Sequence, residues 1–208
     1  MKGKFITFEG VEGCGKSTQI RLLAKFFDEK KIPYVVTREP GGTEISDKIR
    51  DLLLDPSHIK MAPITELLLY EASRAQHVFE VINPALSAGR VVLCDRFADS
   101  SRVYQGYARG LGEELVDECN QIATGGIKPD LTFLLDIPVE VGLERVRKKG
   151  MDRLEQEDVG FHKRVREGFL LLAKKEPKRV FVLDATGGIE EVQEKIRKVV
   201  EERFPLWR

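Results

Sequence analysis

The chain has 208 residues, 42% of them hydrophobic, and its 34 lysines and arginines are matched by 34 acidic side chains. That length suits one α/β domain, and the balanced charge leaves no overall field to attract nucleic acid or an anionic membrane. No apolar run approaches 18 residues, which argues against a membrane-spanning helix, and three scattered cysteines without a Cys-x-x-Cys pair argue against a zinc or dithiol centre.

Met1-Lys2-Gly3-Lys4 runs into a strand-like segment with no apolar secretory core, so a cytoplasmic protein is expected. Phe5 to Phe8 is the first apolar strand, and Ile20, Leu23, Ala24 and Phe27 then recur at helical spacing. Tyr34 to Thr37 is a second strand, followed by the irregular Glu39-Pro40-Gly41-Gly42-Thr43. Pro63 suits a first helical turn, and Leu67, Leu68, Glu71 and Ala75 give that helix its period. Gly89 ends a helix before the strand Val91 to Cys94. Leu131 to Leu135 is a fourth strand, Pro138 opens another helix, and Gly150 breaks a charged segment from Arg145 to Asp158. Phe181 to Leu183 is the fifth strand. The first four strands read as buried on both faces. Strands alternating with helices imply parallel pairing through right-handed crossovers, hence a three-layer α/β/α sandwich on a five-stranded parallel sheet in one domain, 1–208. Ligand-gripping loops belong at the carboxyl ends of such strands.

Gly10-x-x-x-x-Gly15-Lys16-Ser17 is a Walker A sequence in the required setting, after a strand and before an amphipathic helix. Its backbone amides, from Gly10, Gly13, Cys14, Gly15 and Thr18, suit a nucleoside triphosphate. Lys16 adds a cation near the β- and γ-phosphates, and the Ser17 hydroxyl ligates magnesium. Three apolar strands end in aspartate, at Asp95, Asp136 and Asp184. Asp95 is favoured for magnesium because Arg96 follows it. Asp184-Ala185-Thr186-Gly187 has the spacing of a GTP switch, but no Asn-Lys-x-Asp guanine reader accompanies it.

A carboxylate at Glu12 would be repelled by the triphosphate, so it must hold something else. Arg38, Arg74 and Arg96 could grip an acceptor that is itself a phosphate, and Tyr70, one helical turn before Arg74, could pair its ring with that guanidinium as a platform for a flat base. His58, His77 and His162 lack metal-ligand spacing and read as structural or surface residues.

Phe8-Glu9-Gly10-Val11-Glu12-Gly13-Cys14-Gly15-Lys16-Ser17-Thr18, Thr37-Arg38-Glu39-Pro40-Gly41-Gly42-Thr43, Asp95-Arg96-Phe97 and Tyr104-Gln105-Gly106 together resemble the bacterial thymidylate kinases. The resemblance implies a P-loop fold that moves the γ-phosphoryl group of ATP to dTMP with magnesium, in a homodimer. It assigns the acceptor phosphate to Arg38 and Arg96, thymine stacking to Tyr70, base hydrogen bonds to Arg74 and Ser101, and the sugar to Tyr104, with Gln105 nearby. Glu9 and Asp95 would order magnesium, mostly through water, and Glu12 would accept a hydrogen bond from the deoxyribose 3′-hydroxyl. The competing reading of Glu12 is a pair with a lid arginine.

The P-loop (10–18) lacks an arginine, so the cation for the transferring phosphoryl is expected from a lid at about 145–158, with Arg153 near the γ-phosphate and Arg145 or Arg147 over the nucleotide. The acceptor region spans about 38–105. Rival readings are a kinase of this architecture for another acceptor, and a P-loop ATPase or switch, which would leave the arginine set unused.

Overall fold

The computed structural model describes residues 3–147 and 150–205. All five predicted strands are present, each extended by a residue or two: β1 (Lys4–Glu9), β2 (Tyr34–Arg38), β3 (Val91–Asp95), β4 (Leu131–Asp136) and β5 (Val180–Asp184). They form one parallel sheet in the order β2-β3-β1-β4-β5 with helices on both faces. The central strands are the most apolar, as burial on two faces demands, and Ile6, Phe8, Leu93, Leu131 and Phe133 are fully enclosed. β2 departs from the expectation of two buried faces. It is an edge strand, and Val36 is 49% exposed.

Helix α1 (Lys16–Glu29) follows β1 and buries Ile20, Leu23, Ala24 and Phe27 as the spacing predicts. Helices α2 (Glu44–Leu54) and α3 (Pro63–His77) come next. Thr43 caps α2, its hydroxyl accepting from the Ser46 amide, and Pro63 occupies the first turn of α3. Helix α3 runs on through a π-helical stretch, Val78–Ile82, into the short α4 (Asn83–Ser87). Its buried face is not the apolar stripe expected. Leu67 is buried, but Leu68 is 55% exposed and Ala75 also faces outward, while Glu66, Glu71, Ser73, Arg74 and His77 point inward. The polar face has a physical reason, because α3 forms a wall of the cleft described below.

After β3 come the single turn α5 (Ala98–Ser101), a π-helical stretch Arg102–Ala108, and α6 (Glu113–Thr124). Helix α7 (Val139–Arg147) follows β4, α8 (Val159–Lys175) precedes β5, and α9 (Ile189–Arg203) packs against α1. The strand order reverses direction at β1, whose neighbours β3 and β4 are reached in opposite senses. Pairing of Phe8 and Arg38 with Asp95 sets Glu9, Arg38 and Asp95 at one end of the sheet, the carboxyl edge where parallel sheets bind ligands.

Candidate active site

The loop between β1 and α1 is built around close backbone contact. Gly13 has φ +69°, and a Cβ on it would lie 2.4 Å from the Gly142 carbonyl oxygen, so α7 rests on the loop at a point where neither residue tolerates a side chain. Lys16 curls back over the loop, its Nζ donating to the carbonyls of Gly10 (3.3 Å) and Val11 (3.1 Å) and lying 3.5 Å from the buried Cys14 Sγ. The Gly15 carbonyl accepts from the Thr18 and Gln19 amides and starts α1. This places the ammonium and the helix N-terminus together, as phosphate binding requires.

Beside the lysine, the Ser17 hydroxyl donates to Asp95 Oδ2 at 2.7 Å. A hydroxyl and a carboxylate oxygen this close are a hard-oxygen pair of the kind magnesium takes while keeping most of its waters, so the donor set fits that ion. Asp136 and Asp184 have other partners: Asp136 is held by both nitrogens of the Arg166 fork, and Asp184 accepts from the Thr186 amide and hydroxyl. Glu9 lies one layer behind. Both of its oxygens are committed, to the Phe97 amide (2.8 Å) and the Ser100 hydroxyl (2.6 Å), and burial, with Asp99 adding, pushes its carboxyl up to about 7.

In front of the loop is a cavity of about 260 Å³. Glu12, Arg38, Tyr70, Arg74, Arg96, Ser101, Tyr104 and Gln105 all line it, together with Gly13, Lys16, Ser17 and Asp95. Glu12 turns into it. Its Oε1 accepts from Arg96 Nη2 (3.0 Å) and the Tyr104 hydroxyl (2.5 Å), and Oε2 lies 3.5 Å from His162 Nδ1. Burial works to raise the Glu12 carboxyl, but Arg96 first, then His162, Lys16 and Tyr104, outweigh it and hold the group at about 2. The partner of Glu12 is therefore Arg96 and not a lid arginine. Arg96 itself has φ +69°, a conformation that L-residues rarely adopt, and its guanidinium lies over the Tyr104 ring at 5.1 Å.

The floor of the cavity is a second charge network. Arg74 is 1% exposed, donates from Nε to Glu39 and from Nη1 to Glu71, Ser101 and Asn120, and lies over Phe97 at 5.4 Å. Burial opposes its charge, yet Glu39 and Glu71 more than compensate and raise its pKa. His77 bridges Glu39 to Thr37. Burial and Glu66 raise the Tyr70 phenol, keeping that ring neutral.

A nucleotide loop facing a cavity of arginines and aromatics describes a phosphotransferase, and comparison with known proteins agrees. The thymidylate kinase family model matches residues 8–196. The chain belongs to the thymidylate kinase family. A thymidylate kinase of Symbiobacterium thermophilum is 54% identical over 97% of this chain and 94% of its own, and one of Geotalea uraniireducens is 52% identical over 97% and 98%. A crystal structure of thymidylate kinase from Ehrlichia chaffeensis superposes with a TM-score of 0.79 at 34% identity, covering 96% of this chain and 100% of that one.

The lid departs from the family-based expectation. Arg153 does not reach the P-loop. It is 6% exposed, its Nε donates to the Leu53 carbonyl (2.8 Å), its amide to the Leu54 carbonyl, and its Nη1 lies 2.7 Å from Glu66 Oε2. It fastens the segment after Gly150 to the end of α2 and the start of α3, because Glu66 is a buried carboxylate that needs cations around it. Arg145 does sit over the loop, Nη1 donating to the Gly13 carbonyl at 2.9 Å. Arg147 ends α7 exposed to solvent, and Lys148 and Lys149 of the same basic cluster lie outside the described residues.

Several cavity residues escaped the sequence reading. Arg50 donates to the Pro40 carbonyl, and burial, then the nearby Arg38, lower its pKa. Its position on α2, directly after the Thr37–Thr43 segment, was the available signal. Asp152, Leu154 and Glu155 bring the lid segment to the cavity wall. The loop at Glu39–Thr43 is tied rather than loose, since the Gly41 amide donates to Ser73 and the Gly42 amide to Asp47.

Two outcomes follow from these contacts. Arg153→Ala should lower stability by about 2–4 kcal/mol in urea unfolding, since it strips one cation from the buried Glu66; an unchanged midpoint would show that the tie is not formed in solution. Glu12 has a folded-state pKa of about 2, below the 4.5 of the free group, so its ionised form stabilises the fold above pH 4.5 and that contribution fades as pH falls toward 2. Glu12→Gln should accordingly be less stable than the parent by roughly 3 kcal/mol at pH 7, with the gap narrowing below pH 4.5 in urea titrations.

Proposed function

We propose that the cavity in front of the P-loop is the acceptor site through which the chain carries out the reaction of its family, the ATP-dependent phosphorylation of dTMP to dTDP. The observation that carries this reading is Glu12: a carboxylate inside a phosphate loop that turns away from the loop and is held, ionised, by Arg96 and Tyr104. Such a group cannot serve the triphosphate, but it can accept a hydrogen bond from a sugar hydroxyl on the acceptor side.

In this reading Tyr70 stacks on the thymine, and Arg74 and Ser101, already joined at 3.0 Å, read its polar edge. Tyr104 and Gln105 confine the deoxyribose, and Arg38, Arg50 and Arg96 surround the acceptor phosphate. An oxygen of that phosphate attacks the γ-phosphorus of ATP. The bond from the γ-phosphorus to the β,γ-bridging oxygen breaks, and that oxygen leaves on ADP. Lys16 and the amides of Gly13 to Thr18 hold the β- and γ-phosphates, and Arg145 covers the loop from α7. Magnesium, held by Ser17 and by Asp95, with Glu9 behind, would neutralise charge between the phosphates. With Arg153 engaged elsewhere, Arg96 and Lys16 are the cations assigned to the transferred group.

A homodimer is also part of the proposal. Leu68 and Phe79 on α3 and its continuation, and Ile122 on the neighbouring α6, are 55%, 74% and 83% exposed, an apolar face that a second copy would cover. The cysteines Cys14, Cys94 and Cys119 are free, which suits a reducing cytoplasm.

The deciding experiment follows ADP release with ATP, magnesium and, in turn, dTMP, dUMP, dCMP, dGMP, AMP or no acceptor. Turnover should depend on an acceptor and favour dTMP. Equal ADP release without an acceptor would overturn the assignment of the cavity.

A further inference from the structure

His162 has no role in the proposed reaction, yet it is 1% exposed in the first turn of α8. Its Nδ1 points at Glu12 Oε2 across 3.5 Å. Among the described residues neither ring nitrogen has a hydrogen-bond partner, and neither does Oε2. A buried donor and a buried acceptor that face each other and lack other partners form a pair, because leaving either one unmatched is costly. A good N–H···O contact is shorter by about half an ångström, a small displacement for a loop side chain. The two oxygens of Glu12 are thus unlike. Oε1 faces the cavity and serves Arg96 and Tyr104, whereas Oε2 is sealed against His162.

We infer that His162 is a positioning residue for the acceptor: donating from Nδ1 to Oε2, it fixes the rotation of the Glu12 carboxylate so that Oε1 is presented to the acceptor's sugar hydroxyl. The inference rests on the reading of Glu12 as an acceptor-side group. Helix α8 is suited to the task. Its start is fixed by Asp158, whose side chain accepts from the Phe161 amide, and the His162 ring packs edge-on to Phe161, which in turn packs edge-on to Tyr104. The same aromatic cluster therefore supports both the hydroxyl that donates to Oε1 and the imidazole that faces Oε2. His162 does not line the cavity, so it acts through Glu12 and not on substrate.

The test is a double-mutant cycle in steady-state kinetics. His162→Phe keeps the ring and removes the donor. It should raise KM for dTMP by about tenfold, the loss expected for one hydrogen bond to a charged group, with KM for ATP unchanged. His162→Asn, which can return an N–H near the Nδ1 position, should restore KM to near the parent value. In a Glu12→Ala background, His162→Phe should add nothing. An unchanged dTMP KM, an equal rise for ATP, or the same factor with Glu12 absent would each overturn the inference. If His162→Phe fails to fold, His162→Gln, whose amide reaches the Nε2 position and leaves no donor near Nδ1, takes its place: a tenfold rise in dTMP KM beside a near-parental His162→Asn supports the tether, and equal KM values for the two variants refute it. Comparing Glu12→Ala with the parent on 3′-deoxythymidine monophosphate tests the underlying reading separately. Equal losses on that acceptor and on dTMP would remove the sugar contact, while the cycle would still report whether residues 12 and 162 are coupled.

Discussion

The P-loop side of the cleft is arranged around one strained arginine. Arg96 leaves the end of β3 at φ +69°, and this turn sends its guanidinium across the mouth of the P-loop, where it meets Glu12, Ser100 and the face of Tyr104. Such backbone strain persists when its surroundings over-determine it. Here the Arg96 amide donates to the Phe8 carbonyl, and Glu9 holds both the Phe97 amide and the Ser100 hydroxyl. Two carboxylates three residues apart, Glu9 at the end of β1 and Glu12 in the P-loop, thus divide the work. Glu9, pushed up by burial, secures the backbone that carries Arg96, while Glu12, held down by cations, keeps the guanidinium in place and remains ionised.

A second buried ion network explains why α3 is polar where an amphipathic helix would be greasy. Arg74 binds Glu39 and Glu71, and Glu39 also accepts from His77, beneath the cavity; replacing any one would leave a charge or donor unmatched in a buried setting. In the first turn of α3, Glu66 gathers Gln105, Arg109 and Arg153, joining that helix, the π-helical stretch and the lid segment at one carboxylate. The cavity is lined by charges, and in the proposed reading that would suit discrimination between similar bases better than an apolar slot would.

How much of this was legible in the sequence depends on the distance over which each feature is encoded. The P-loop and the positions of the five strands follow from local patterns, since the glycines, the lysine and the first apolar strand lie within 14 residues of one another, and each strand carries its own β-branched or aromatic run; the order of the strands across the sheet does not. The eight residues expected at the acceptor also line one cavity, Glu12, Arg38 and Arg96 from the carboxyl edge of the sheet and Tyr70 and Arg74 from within α3. What failed depended on tertiary approach. Nothing in the lid segment tells that Arg153 turns toward Glu66, 87 positions earlier, instead of toward ATP. Gly142 looks like a weak point in a helix until its contact with the loop is seen, and His162 looks like a core histidine until Oε2 of Glu12 appears opposite it. Leu68 and Ala75 fit a helical stripe yet face outward, because the inner face of α3 was needed for charges.

The central claim is that Glu12 and Arg96 form one unit of the acceptor site, and a structure with dTMP and a non-hydrolysable ATP analogue tests it directly. The account predicts the acceptor phosphate on Arg96 and the 3′-hydroxyl within hydrogen-bond distance of Glu12 Oε1. An acceptor bound with its sugar remote from Glu12, or with its phosphate out of reach of Arg96, would contradict it.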